Sequence, residues 1–309
     1  MKKLLLATSC LVALSTSALA AEFTISGKHE FNYQAWTDDA TNAAGHNDTM
    51  MTNDTTITIK AKHKLENGLE VGATLLDMED GVHDTDGISM YINSDMGKIV
   101  FGGNSAGDSY SIDGLVAGDS YFGTGDPEYA GGEEIGATNE QNGISYHFGN
   151  ENISAGIGLI DAGTTSSDDT ISYGIKAGLP WATLQAAYET DDLVDKLSIG
   201  GSVKLGNSKI TVAQNTKKDD AGTYKYTGNS IGVETKITDD LKIDAHLGMA
   251  EDSKDTGFDF KQKAVTLTKT LAPGIETHLT WTDYEEKQSS GAANDETGTS
   301  YNFGVKVSF

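Results

Sequence analysis

The chain has 309 residues with 46 aspartates and glutamates against 22 basic residues, all of them lysine, which gives a formal net charge of −24. Binding to the phosphates of nucleic acid needs a basic surface, so this charge argues against nucleic acid as a partner. After the first twenty residues no apolar run approaches the roughly eighteen residues of a membrane-spanning helix. The mean hydropathy of −0.35 is still compatible with a membrane β-barrel, whose strands are half polar.

The N-terminus predicts export from the cytoplasm. A short basic start leads into an apolar run that ends in Ala18-Leu19-Ala20, the small-x-small pattern of a secretory signal peptide. We predict a signal peptide over residues 1–20 and a mature chain over residues 21–309. Cys10 is the only cysteine, so no disulfide can stabilise the mature chain.

Beyond this segment the chain alternates apolar and polar residues in runs bounded by Gly, Asn, Asp or Pro. In the first run Phe23, Ile25 and Phe31 alternate with the polar Lys28 and Glu30. Alternation with a period of two predicts β-strands that have one apolar and one polar face. The sixteen runs are 23–36, 54–65, 69–78, 87–94, 98–104, 143–149, 152–161, 169–178, 181–191, 195–205, 208–216, 225–237, 241–250, 258–270, 275–285 and 298–309.

The connections alternate as well. Tight turns such as Glu66-Asn67-Gly68 follow one run, and longer polar segments follow the next. This order predicts antiparallel hairpins with the short turns on one side of the sheet and the long connections on the other. Over residues 258–263 the apolar and polar residues no longer alternate regularly, and we predict a bulge there. No break in composition divides the mature chain, so we predict one domain.

Two β architectures fit these hairpins. A β-sandwich buries the apolar face, whereas a membrane barrel turns it to lipid. Most runs have 8 to 13 residues, near the roughly nine to eleven that cross a bilayer at a tilt, and aromatic residues lie near the run ends. Together with the even strand number, this predicts a sixteen-stranded antiparallel transmembrane β-barrel. The alternative is a secreted β-sandwich or adhesin-like binding protein without channel activity.

The alternation stops for 36 residues, over 106–141, after the fifth run. A segment of that length without a pattern often marks a functional loop. This one contains no lysine. Its carboxylates are Asp108, Asp113, Asp119, Asp126, Glu128, Glu133, Glu134 and Glu140. We predict that it folds inside the barrel, and the alternative is a disordered acidic loop on the surface.

The whole mature chain resembles a Gram-negative general diffusion porin, most closely the sixteen-stranded alphaproteobacterial type. The resemblance is carried by Phe23-Thr24-Ile25-Ser26-Gly27, the turn Glu66-Asn67-Gly68-Leu69, the long loop after the fifth strand, and the terminal Tyr301-Asn302-Phe303-Gly304-Val305-Lys306-Val307-Ser308-Phe309. It implies a water-filled channel, not an enzyme, for passive diffusion of small hydrophilic solutes and ions. It further implies a homotrimer in the bacterial outer membrane, surrounded by lipid and lipopolysaccharide.

The resemblance also implies roles for particular residues. Phe309 would be the end that the outer-membrane assembly machinery recognises. In the family the long loop narrows the pore at mid-height, where acids face a basic, largely arginine cluster on the wall. The stretch Pro127-Glu128-Tyr129-Ala130-Gly131-Gly132 resembles the lining of that constriction. Among the carboxylates of the loop we predict Asp113, Asp119, Asp126 and Glu128 as the constriction acids, with Glu128 best supported by the motif. The matching wall residues are Lys28, Lys60 and Lys62.

Lysine in place of arginine is a departure from the family, because lysine is a flexible point charge and arginine a planar donor. The carboxylates of the loop outnumber the three wall lysines, and the surplus sign decides which ion is enriched. We therefore predict a preference for cations.

No other chemistry is indicated. The histidines are scattered singly, without the spacing of a metal site, and no serine has an evident base and orienting group. We expect no cofactor. Asp84-Thr85-Asp86-Gly87 matches part of a calcium-loop pattern, so Ca2+ in the acidic loops stays an open alternative for which no ligand set can be named.

Overall fold

The structure, a computed structural model, describes residues 21–38, 49–79, 82–83, 88–102, 109–110, 143–160, 169–191, 193–219, 221, 225–252, 259–287 and 296–309. The predicted signal peptide and all of the 106–141 segment except Ser109 and Tyr110 lie outside these ranges. Within them, no helix has the length and apolar character to cross a bilayer.

One antiparallel sheet of seventeen strands forms the described part of the chain. The strands are β1 Glu22–Asp38, β2 Thr49–Lys64, β3 Glu70–Glu79, β4 Val82–His83, β5 Ser89–Ser94, β6 Gly97–Gly102, β7 Gly143–Gly149, β8 Ile153–Ile160, β9 Thr170–Leu179, β10 Ala182–Thr190, β11 Val194–Leu205, β12 Ser208–Asp219, β13 Lys225–Thr238, β14 Leu241–Asp252, β15 Asp259–Ala272, β16 Ile275–Lys287 and β17 Glu296–Ser308. The sixteen predicted strands are confirmed. The addition is the two-residue β4, which pairs with the end of β3, while β3 pairs directly with β5.

The sheet closes on itself. β17 pairs with β1 from Lys28–Ser308 to Asp38–Gly298, and β1 pairs on its other side with β2. At the seam the Phe309 N–H donates to the Gly27 carbonyl, and the Gly27 N–H donates to the Phe309 carbonyl, both at 3.0 Å. A closed barrel leaves no unpaired strand edge, which is the condition for a sheet in lipid. The alternative of a β-sandwich is therefore not favoured.

Burial is reversed compared with a soluble protein. On the outer face Phe31 is 41% exposed and Leu184 is 65% exposed, whereas Gln262 and Thr282 on the inner face are 1% and 0% exposed. A soluble fold buries its large apolar side chains. A membrane barrel instead presents an apolar band to lipid and a polar face to its lumen.

Tight turns close seven of the hairpins at one end of the barrel, here called the tight-turn mouth. They lie at residues 65–69, 95–96, 150–152, 180–181, 206–207, 239–240 and 273–274. Gly206 (φ 62°) and Gly68 (φ 87°) adopt left-handed backbone conformations that their turns require. At the turn after β13, Lys269 and Thr238 donate hydrogen bonds to the Asp240 carboxylate, which hold the pKa of Asp240 below its usual value. The opposite end is the long-connection mouth.

The predicted bulge at residues 258–263 is wrong for the described residues 259–263, which pair regularly with both β14 and β16. The alternation of apolar and polar residues is irregular there for a different reason: near the long-connection mouth the outer face carries charged residues. These form an outer charged ladder of Lys261–Asp259 (2.8 Å), Lys263–Asp283 (3.3 Å) and Lys287–Glu285 (2.8 Å). The register shifts lie elsewhere, between Ile59 and Lys60, Lys236 and Thr238, and Thr270 and Ala272.

Candidate functional site: the pore wall

Strand register identifies which side chains face the lumen, because directly opposed residues in neighbouring strands point to the same face. Starting from the buried Glu30 and Asn32 of β1, that face can be followed around the barrel. It carries the lysines Lys28, Lys60, Lys62, Lys64, Lys98, Lys176, Lys196, Lys204, Lys209, Lys217, Lys236, Lys242 and Lys306, and the carboxylates Glu22, Glu30, Asp54, Glu70, Glu189, Asp219, Glu234, Asp244 and Glu276.

The three predicted wall lysines face the lumen at different heights. Lys62 is opposite Glu22, the first residue of β1, and their side chains form an ion pair at 3.2 Å. Lys28 lies six residues further along β1, roughly 20 Å at about 3.3 Å per residue, and forms an ion pair with Asp54 at 2.7 Å. Lys60 forms no ion pair with any residue that the structure describes. The three lysines therefore do not make one compact cluster.

Tyr110 is the described contact between the 106–141 segment and the wall. It is only 6% exposed, and its ring stacks on His147 of β7 with a centroid distance of 5.9 Å. A β-carbon at position 174 of β9 would lie 2.6 Å from Cγ of this ring, so Gly174 provides the space that Tyr110 occupies. His147 and Gly174 both face the lumen. The start of the segment therefore packs against the inner wall.

The predicted constriction carboxylates Asp113, Asp119, Asp126 and Glu128 lie outside the described residues. Their position in the pore stays a prediction, as does the path of the segment beyond Tyr110.

Two further polar clusters on the lumen face were not predicted. Lys196 forms an ion pair with the buried Glu189 at 3.5 Å. His278 Nε2 lies 3.1 Å from Asn32 Oδ1 and 3.7 Å from Glu30 Oε1. The polar phase of each run could have placed these residues on the inner face, but their pairing depends on register between strands.

The sequence model of the Gram-negative porin family matches residues 7–305, almost the whole chain. The chain belongs to the Gram-negative porin family. Family and fold place this porin in the bacterial outer membrane. A search of curated protein sequences finds no match.

Solved porin structures share the fold at low sequence identity. An anion-selective porin from Comamonas acidovorans superposes with a TM-score of 0.72 at 14% identity, covering 94% of this chain and 100% of that one. OmpT of Vibrio cholerae in its trimer form gives 0.69 at 11%, covering 94% and 99%. A mutant of the porin of Rh. blastica gives 0.62 at 15%, covering 93% and 100%. At these identities the likeness shows the fold alone.

A serine and a histidine also meet on the lumen face. Ser145 Oγ lies 2.8 Å from His147 Nε2, and within the described ranges no carboxylate hydrogen-bonds the other ring nitrogen of His147. Those ranges also contain no group of three or more His, Cys, Asp or Glu residues that could hold a metal. Residues 84–87, the partial calcium pattern, lie outside them, and calcium binding stays an untested alternative.

The contact between Tyr110 and Gly174 makes a stability prediction for the porin. Tyr110→Ala removes a buried ring and is expected to lower the free energy of unfolding by about 3 kcal/mol. Gly174→Val is expected to lower it as well, because the new side chain and the ring cannot share the space. In the Tyr110→Ala background, however, Gly174→Val should lower the free energy of unfolding much less, because the Tyr110 ring no longer occupies the space that the valine needs.

Urea unfolding of the four proteins in detergent or lipid measures this cycle. Tyr173→Ala, an exposed tyrosine on the outer face of the same strand, is the matched control and should have a smaller effect. Additive costs for the two lumen substitutions would contradict the contact.

Proposed function

We propose that this porin is a water-filled channel for passive diffusion of small hydrophilic solutes and ions, with a preference for cations. The observation that carries the proposal is the closed barrel of sixteen wall strands, apolar outside and polar inside. A barrel with that many strands is too wide for its side chains to fill and leaves an aqueous channel. The position of Tyr110 on the inner wall is evidence for a long loop that lies inside this channel and narrows it.

The preference for cations rests on the balance of charges along the passage. Lysines outnumber carboxylates on the described lumen face, but Lys28, Lys62, Lys196 and Lys242 form ion pairs. The 106–141 segment adds eight carboxylates and no lysine. If it narrows the pore, its negative charge dominates where the passage is tightest and enriches cations. The Comamonas porin is described as anion-selective, but selectivity follows from each chain's own charges.

Reversal potentials across a potassium chloride gradient in a planar bilayer test both parts of the proposal. The wild type is expected to conduct and to prefer potassium. The preference should weaken as salt rises, because the Debye length falls from about 30 Å at 0.01 M to about 3 Å at 1 M. Glu128→Gln combined with Asp126→Asn should move the reversal potential toward anions.

Lysine variants control this measurement. Lys60→Gln with Lys62→Gln should move the potential toward cations, whereas Lys263→Gln, on the outer face, should leave it unchanged. Chloride preference in the wild type, or no shift in the carboxylate variant, would exclude these carboxylates from the pore lining. A folded protein that does not conduct would favour the binding-protein alternative.

The partners follow from the same proposal. We propose a homotrimer, as in the trimer form of OmpT. The outer charged ladder lies near the long-connection mouth, at a level that suits the headgroups of lipopolysaccharide. Phe309, at the closing seam, is proposed as the residue that the outer-membrane assembly machinery recognises.

A further inference from the structure

Three lysines converge on the lumen face at the tight-turn mouth. Lys204 of β11 and Lys209 of β12 are directly opposed, one residue pair before the turn at 206–207. Lys236 of β13 joins them, because its backbone N–H donates to the Asn207 carbonyl in that turn at 3.0 Å. All three side chains are exposed. They are called the rim cluster below.

On the lumen face, the carboxylates near the rim cluster are bound to another lysine. Glu234 faces the cluster from β13, but Lys242 Nζ lies 3.3 Å from Glu234 and 3.1 Å from Asp244. In the adjoining turn Asp240 is bound by Lys269, which is on the outer face. Among the described residues, none forms an ion pair with the rim cluster. Like charges directly opposed in a sheet repel each other, so a bound counter-anion would relieve an existing repulsion.

The arrangement suits a multiply charged ligand. Lysine carries three donors on a flexible stem and binds phosphate oxygens as a point charge. Opposed β-carbons are about 5 Å apart and diagonal ones about 7 Å, so three ammonium groups can reach separate charges of one small molecule. At the other end of these strands the lumen face carries Lys196, which is paired with Glu189, and also Lys217 and Asp219. Lysines and carboxylates balance there, so the site is one-sided.

We propose that the rim cluster binds small multiply charged anions, namely polyphosphates and phosphate esters, that enter from the tight-turn mouth. Bacterial outer-membrane barrels place their short turns in the periplasm, so the site opens toward that compartment. The binding itself does not depend on conduction, whereas the sided block described below rests on the proposed channel function.

Isothermal titration of the folded protein in neutral detergent with sodium tripolyphosphate tests the binding. The wild type should bind, and more weakly as salt rises. Lys204→Gln with Lys209→Gln should lower the affinity by about tenfold or more. The matched control is Lys218→Gln with Lys225→Gln, which removes another directly opposed lysine pair, on the outer face, and should change the affinity by less than about twofold.

Equal losses in the two double variants, or an unchanged affinity in the rim variant, would overturn the proposal. If the rim double variant does not fold, Lys236→Gln alone is expected to lower the affinity by about threefold. No loss in that variant would then overturn it.

Sided block in a planar bilayer tests the access route. The mature chain has no cysteine, so Glu66→Cys in the tight turn after β2, labelled from one side with a bulky maleimide polymer, reports the orientation of the channels. Tripolyphosphate at the tight-turn side should reduce the potassium current when that side is negative, because the field then drives the anion into the pore. From the long-connection side about tenfold more should be needed.

The outcomes separate the two proposals. Absence of any conductance contradicts the channel function and leaves the titration to decide the binding site. Conduction with equal block from both sides overturns the one-sided site.

Discussion

Deletion of Phe309 is expected to abolish the folded trimer and to leave unfolded chain in the periplasm. The residue forms two backbone hydrogen bonds with Gly27 where the barrel closes, and it is the residue proposed above as the one that the assembly machinery recognises. Membrane fractionation, with and without heating before gel electrophoresis, measures the yield of folded trimer. A normal yield would contradict both roles.

Two variants distinguish recognition of Phe309 by the assembly machinery from its contribution to closing the barrel. A β-carbon at Gly27 would lie 2.7 Å from the Phe309 ring and 2.8 Å from the Thr56 carbonyl, so Gly27→Ala disturbs the seam but keeps the terminal residue. If recognition dominates, Gly27→Ala should assemble in cells with lower thermal stability, and the Phe309 deletion should still refold in detergent, where no machinery is present. If closure dominates, both variants should fail in both settings.

Removal of residues 115–135 is expected to raise the single-channel conductance roughly twofold without loss of the barrel, because conductance is limited by the narrowest cross-section of a pore. Tyr110 and its contact with the wall at Gly174 remain in this variant, so the start of the segment stays anchored. The measurement is the conductance of single channels in a planar bilayer at high salt.

The matched control shortens another long connection, residues 288–295, and should leave the conductance unchanged. An equal rise in both variants would indicate a general effect of loop loss at the mouth. An unchanged conductance after removal of 115–135 would place the loop outside the pore, as its acidic composition alone also allows.

Two features of the fold were not predicted correctly from the sequence, because the local pattern of apolar and polar residues did not reflect how the strands pair. The mixed phases at 258–263 suggested a bulge, but Lys261 and Lys263 lie on the outer face in regular register and form ion pairs with Asp259 and Asp283. The alternation of apolar and polar residues alone cannot distinguish a bulge, which changes the residues that face outward, from charged residues on a regular outer face. The short strand β4 was missed because two residues carry no periodicity.

The amino-acid sequence by itself determined the sixteen strands, their two faces and the barrel class. These follow from alternation with a period of two, run length and connection length, which are all local properties. It also pointed to the polar phase that faces the lumen, and so to the inward position of Lys28, Lys60 and Lys62.

The tertiary structure decided which of these charges meet. Asp54 neutralises Lys28, Lys204 is opposed by Lys209, and Tyr110 packs on Gly174, a wall residue distant in sequence. Such contacts depend on the register of each strand against its neighbours and on closure of β17 against β1. Register is set by turn geometry and by the whole hydrophobic pattern, and a change of two residues keeps every face but replaces every cross-strand partner. Faces could therefore be predicted from the sequence, and partners could not.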